Sequence, residues 1–107
     1  GQANVVVSGN IFNGKAGTYP YAHYGVYSSS SDALVRVVIS GNTFENIAAA
    51  DIALAGSLTQ CSIADNVGSG AAAFTSEKTN CNIHDNNFAG ITIITGAAAN
   101  CNIHDNY

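Results

Sequence analysis

The chain has 107 residues, enough for one domain or a piece of one. Its charged residues amount to 9 % and its formal net charge is −4, whereas about 25 % charged residues is usual for a soluble domain. That balance gives no electrostatic footprint for nucleic acid or an anionic membrane surface, no apolar run approaches the ~20 residues of a membrane span, and Ile and Val are too plentiful for charge-driven disorder.

The start, Gly1-Gln2-Ala3-Asn4, lacks the basic and apolar stretches of a signal peptide. With no Met anywhere, the chain reads as a segment of a longer polypeptide. The first predicted strand is Val5-Val6-Val7, followed by Ser8-Gly9-Asn10-Ile11-Phe12. The same pattern returns as Val37-Val38-Ile39-Ser40-Gly41-Asn42-Thr43-Phe44, then as Cys61-Ser62-Ile63-Ala64-Asp65-Asn66. It returns again as Cys81-Asn82-Ile83-His84-Asp85-Asn86-Asn87-Phe88 and Cys101-Asn102-Ile103-His104-Asp105-Asn106. The anchors Val7, Ile39, Ile63, Ile83 and Ile103 lie 32, 24, 20 and 20 residues apart. Between the repeats, residues 13–36 read as a loop insertion, and second apolar stretches fall at 52–54, 71–74 and 91–94.

Within each repeat the apolar positions alternate with period 2, which is the signature of a strand with one buried face. Gly or Asp and then Asn follow each strand; these residue types tolerate the left-handed backbone of a tight corner. Strands recurring in one direction every 20 or so residues make a parallel β-helix, whose coils stack about 4.8 Å apart. Parallel crossovers are right-handed. The expected fold is therefore all-β: a right-handed, single-stranded parallel β-helix over residues 1–107, with about five coils, the regular ones 20 residues long.

The columns produced by stacking carry the candidate chemistry. Cys61, Cys81 and Cys101 stand where Val5 and Val37 stand, and read as small buried hydrophobes. Asn10, Asn42, Asn66, Asn86 and Asn106 read as a structural amide ladder at the corner. Asp65, Asp85 and Asp105 share a place with Gly9 and Gly41, so that position selects for corner backbone; paired carboxylates there could also do acid/base work. His84 and His104 beside two Asp resemble half of a metal site, but a solvated imidazole pair on a turn is the commoner arrangement, and no metal or cofactor is assigned. Four of the five Tyr fall in residues 19–27. Tyr19, Tyr21, His23, Tyr24 and Tyr27 are the candidate carbohydrate-binding residues, because Tyr offers a flat apolar face and a hydroxyl to a sugar ring. Coverage of the stack by these rings, or contact between chains, is the alternative.

The pattern of Ile39-Ser40-Gly41-Asn42-Thr43-Phe44 and Ile83-His84-Asp85-Asn86-Asn87-Phe88 resembles the β-helix repeat of pectin-lyase-like proteins, and the uncharged Asn/Ser/Thr/Ala-rich style is most similar to bacteriophage tailspikes and tail fibres. The resemblance implies a rigid segment serving attachment to a host-cell polysaccharide, a homotrimer, and a place on the virion tail or outside the cell. The same superfamily contains polysaccharide lyases, hydrolases and epimerases, so a fragment of such an enzyme is the alternative. A structural spacer is the third reading. The scattered Glu45, Glu77, Arg36, Lys15 and Lys78 form no charged groove in the repeat columns, which leans against catalysis.

Overall fold

A computed structural model describes residues 2–14, 24–30, 33–47, 49–90 and 92–107. The described residues contain strands and no helix, hence none long and apolar enough to cross a membrane. The strands are two to five residues long and assemble into four parallel sheets that wrap one core as a β-solenoid.

The anchor sheet holds Val6–Ser8, Val38–Ser40, Ser62–Ala64, Asn82–His84 and Asn102–His104. Its register aligns Val7, Ile39, Ile63, Ile83 and Ile103, the column expected from the repeat. Around the corner lies a phenylalanine sheet of Ile11–Asn13, Thr43–Glu45, Val67–Gly68 and Asn87–Phe88. The third sheet comprises Tyr24–Ser28, Ala50–Leu54, Ala72–Phe74 and Thr92–Ile94. The fourth comprises Gln2–Ala3, Leu34–Val35, Leu58–Thr59, Lys78–Thr79 and Ala98–Ala99.

The expected number of coils needs correction. The solenoid has about 3 turns of ~20 residues, not five. Five anchor strands bound fewer closed turns than their own number, and the first interval is not a 20-residue turn. Residues 15–23 and 31–32 of the expected 13–36 insertion lie outside the described residues. Within it, Tyr24–Ser28 and Leu34–Val35 are strands that join the third and fourth sheets.

Ile39, Ile52, Ile63, Ile83, Leu54, Leu58, Phe44, Phe74 and Phe88 are buried in one continuous core. Phe12 and Phe44 stack with centroids 4.9 Å apart. Gly68 takes the next place in that column, and Phe88 resumes it. The core is thus built from like residues in successive turns, so each turn gains its burial from its neighbours.

Two corner columns use left-handed backbone. Gly9, Gly41, Asp65, Asp85 and Asp105 have φ between 52° and 65°, and Asn4, Arg36, Gln60, Asn80 and Asn100 between 54° and 60°. Arg36 and Gln60 are not usual left-handed residues; the stacked turns impose the conformation on them. The Asn ladder occupies the interior beside the first corner. Each Asn Oδ1 accepts from the backbone N–H and the side-chain amide of the preceding Asn, as at Asn66 from Asn42 (3.1 and 3.0 Å). Each Nδ2 donates to the anchor carbonyl of the preceding turn: Asn42 to Val7, Asn66 to Ile39, Asn86 to Ile63, Asn106 to Ile83.

The cysteine column behaves as a second, weaker ladder. Cys61 N–H donates to Cys81 Sγ at 3.5 Å and Cys81 N–H to Cys101 Sγ at 3.4 Å. Each thiol donates to the carbonyl two residues earlier: Thr59, Thr79 and Ala99. All three thiols are free. Cys61 and Cys81 are buried and Cys101 is half-buried, and burial pushes the Cys81 thiol above its ordinary pKa. Native labelling with a thiol reagent should therefore modify Cys101 first and leave Cys61 and Cys81 slow until denaturant is added. Rapid labelling of all three in the folded protein would contradict the inward column.

Candidate functional site

Two surface features bring chemistry-bearing side chains together. The first is the outer face of the third sheet. Tyr24 and Tyr27 lie on the strand Tyr24–Ser28 rather than on a loop, because Val26 and Ser28 of that strand take core columns beside Ile52 and Leu54. The alternation turns Tyr27 outward, and Tyr24 is exposed at the strand's start. They are 42 % and 58 % exposed, respectively, and their rings meet with centroids 4.6 Å apart at 38°. Below Tyr27 the outward column continues as Ala53, Ala73 and Ile93. Small side chains in two successive turns leave a flat, uncharged floor beside the rings. At a strand spacing of about 4.8 Å, three steps carry the column about 14 Å from Tyr27 to Ile93. Tyr19, Tyr21 and His23, the other candidate binding residues, lie outside the described residues.

The second feature is the corner after the anchor sheet. His84 and His104 are in register and stack with centroids 5.0 Å apart at 8°. Each Nδ1 meets the carboxylate that follows it: Asp85 Oδ2 at 2.8 Å and Asp105 Oδ2 at 2.9 Å. Asp65 adds a third carboxylate to the same corner column, next to Ala64. One ligand atom each from Asp85, His104 and Asp105 lie within 4.8 Å of one another. Sequence reasoning names the individual columns but assigns no metal set. The missing signal is the cross-turn distance, which depends on how far the corner side chains lean.

The structure buries two ionisable groups, Lys78 and Asp51, that the repeat pattern does not place inside. Lys78 is 1 % exposed and sits in the inward column of Leu34, Leu58 and Ala98. Its Nζ donates to the carbonyls of Ser76 and Thr95. Burial lowers its pKa, against the opposite pull of the Cys101 and Cys81 sulfurs. Aligning Lys78 with Leu58, 20 residues earlier, would have exposed this slot in the sequence. Asp51 is fully buried. Gly70 N–H donates to its Oδ2 at 2.8 Å, whereas its Oδ1 has no hydrogen-bond partner. Period 2 would put Asp51 outside, since Ile52 is inside. The N–H groups of both residues converge on the Ala71 carbonyl, at 2.7 and 3.5 Å, and both side chains turn inward. Gly68 makes the room: a Cβ there would stand 1.9 Å from Asp51 Oδ2.

A remaining concavity of ≈ 300 Å³ opens among Val5, Val7, Val26, Leu34, Val37 and Leu54 at the first turn. Its lining is chiefly aliphatic, the exposed rim of the core itself. Comparison with protein-family models, curated proteins and solved structures finds no match in any of the three. The likeness to pectin-lyase-like proteins accordingly rests on the repeat pattern, and the likeness to tailspikes on that pattern together with the uncharged Asn/Ser/Thr/Ala-rich composition.

Proposed function

We propose that this chain is a rigid, right-handed β-helical segment of the phage tailspike or tail-fibre type, and that it contributes to attachment to a host-cell polysaccharide. The observation that supports this reading is the exposed Tyr24/Tyr27 pair beside the Ala53–Ala73 floor. A stiff parallel stack fixes the strand that carries the two rings, which lowers the ordering cost at binding. A sugar ring can lay its apolar face on a tyrosine while its hydroxyls meet the phenol oxygen and water. An uncharged wall suits a neutral or weakly acidic glycan better than a highly charged polymer. A homotrimer on the virion tail, in which neighbouring chains frame the same wall, belongs to this reading; light scattering showing a monomer at high concentration would remove that part.

The test is titration with bacterial surface polysaccharides followed by calorimetry. Tyr24→Ala and Tyr27→Ala should each weaken binding by about tenfold, a loss expected for one well-placed aromatic contact. Both side chains are exposed, so the melting temperature should change little. Binding unaffected by both substitutions would sink the proposal. Shortening of the polysaccharide during incubation would instead favour the enzymatic alternative, a fragment of a lyase or hydrolase.

A further inference from the structure

We infer that Asp85, His104 and Asp105 form a divalent transition-metal site that clips the last two turns of the solenoid together. This site is independent of the polysaccharide reading.

The three residues belong to consecutive turns whose register is set by the anchor sheet, Ile83 on Ile103 and His84 on His104. Left-handed corners follow at Asp85 and Asp105, with φ of 56° and 52°, so both carboxylates project from the same place in the repeat. One ligand atom from each of the three residues lies within 4.8 Å of the others, and they are the one such group of three among the described residues. His104 Nδ1 and Asp105 Oδ2 are 2.9 Å apart. A cation with bonds of about 2.1 Å at right angles needs a ligand–ligand edge of about 3.0 Å. His104 Nδ1 and Asp105 Oδ2 therefore already have the separation of two adjacent ligands, and the Asp85 carboxylate, within 4.8 Å, completes the set by rotating its side chain toward the ion. Solvent fills the open coordination positions, because all three side chains are exposed.

The charge distribution supplies a second, separate reason. Asp65, Asp85 and Asp105 bring three carboxylates into one column at successive turns. Like charges at that spacing repel by about 1 kcal/mol per neighbouring pair even in water. Among the described residues, Arg36 is engaged by Asn4 at 2.7 Å on another corner, and Lys78 is buried against backbone carbonyls. Neither faces this column. Asp85 and Asp105 have the His84 and His104 imidazoles as partners at 2.8 and 2.9 Å, and a bound cation adds positive charge to the column beyond what those rings supply.

The donor set selects the metal class. One imidazole and two carboxylates suit Zn²⁺, Co²⁺, Ni²⁺ or Mn²⁺, whereas Ca²⁺ and Mg²⁺ favour oxygen alone and Cu⁺ favours sulfur. The experiment is calorimetric titration of the whole chain with ZnCl₂, repeated with CoCl₂ under an absorption spectrometer. One equivalent should bind saturably. His104→Ala and Asp85→Asn should each lower affinity by at least about tenfold, and circular dichroism should show both variants folded. His84→Ala, which removes the ring that pairs with Asp85 Oδ2 but supplies no ligand, should lower affinity less than His104→Ala does. Substoichiometric Mn²⁺ should broaden the His104 imidazole resonances before those of other side chains. No saturable uptake, uptake that survives His104→Ala, or a thiolate-to-cobalt absorption band pointing to the cysteine column would each overturn the site.

Discussion

Asn66→Ala is expected to lower the unfolding free energy by about 3–5 kcal/mol, because each buried polar group left without a partner costs about 1–3 kcal/mol. The Asn66 side chain is fully buried. Its removal deprives Asn42 of the acceptor for both its backbone N–H and its side-chain amide. It also leaves the Ile39 carbonyl without its amide donor and takes one donor from Asn86 Oδ1. No water can enter a tightly stacked corner without displacing the turns themselves. The control is Asn10→Ala at the exposed start of the ladder, whose side-chain amide donates to Asn42 and Ser8; solvent there can substitute, and the loss should be about 1 kcal/mol or less. Urea denaturation of both variants checks the contrast. Equal losses at the two positions would show that the ladder is not the spine of the solenoid.

Asp51→Asn should act in the opposite direction and raise stability at neutral pH by about 1–3 kcal/mol, since a buried charge with incomplete hydrogen bonding is a net cost. Burial raises the Asp51 pKa from its ordinary 3.8, and the single bond from Gly70 N–H offsets only part of that. Between 3.8 and the raised value the folded state holds more protons than the unfolded state. Stability therefore falls as pH rises through that window, and above it the whole penalty is present. The amide accepts the same Gly70 bond but carries no charge. Its other end remains unpartnered, as Oδ1 is now, which keeps the gain well below the full cost of burying an ion. Urea midpoints should show the variant above the parent at neutral pH and the difference closing well below pH 3.8. A variant less stable than the parent at neutral pH would mean that the carboxylate has a compensating partner. Lys78 has the other sign: its lowered pKa makes stability rise as pH climbs toward 10.5.

The sequence by itself determined the anchor column, the parallel stacking, the first corner and the amide ladder. Those features repeat with fixed spacing, and in a solenoid the neighbour across a hydrogen bond is the residue one repeat away. Val7, Ile39, Ile63, Ile83 and Ile103 could be aligned by eye for that reason. Tertiary structure decided what the repeat does not encode. The number of closed turns depends on how the long first interval joins the sheets, which its aperiodic residues do not show. Tyr24 and Tyr27 lie on a strand because Val26 and Ser28 find the core columns of Ile52 and Leu54, in a sheet that carries no recognisable anchor. Asp51 faces inward because two neighbouring N–H groups share the Ala71 carbonyl and so break the period-2 rule. The approach of Asp85 to His104 and Asp105 depends on side-chain lean at a corner, a quantity of a few ångströms that alignment of columns leaves open.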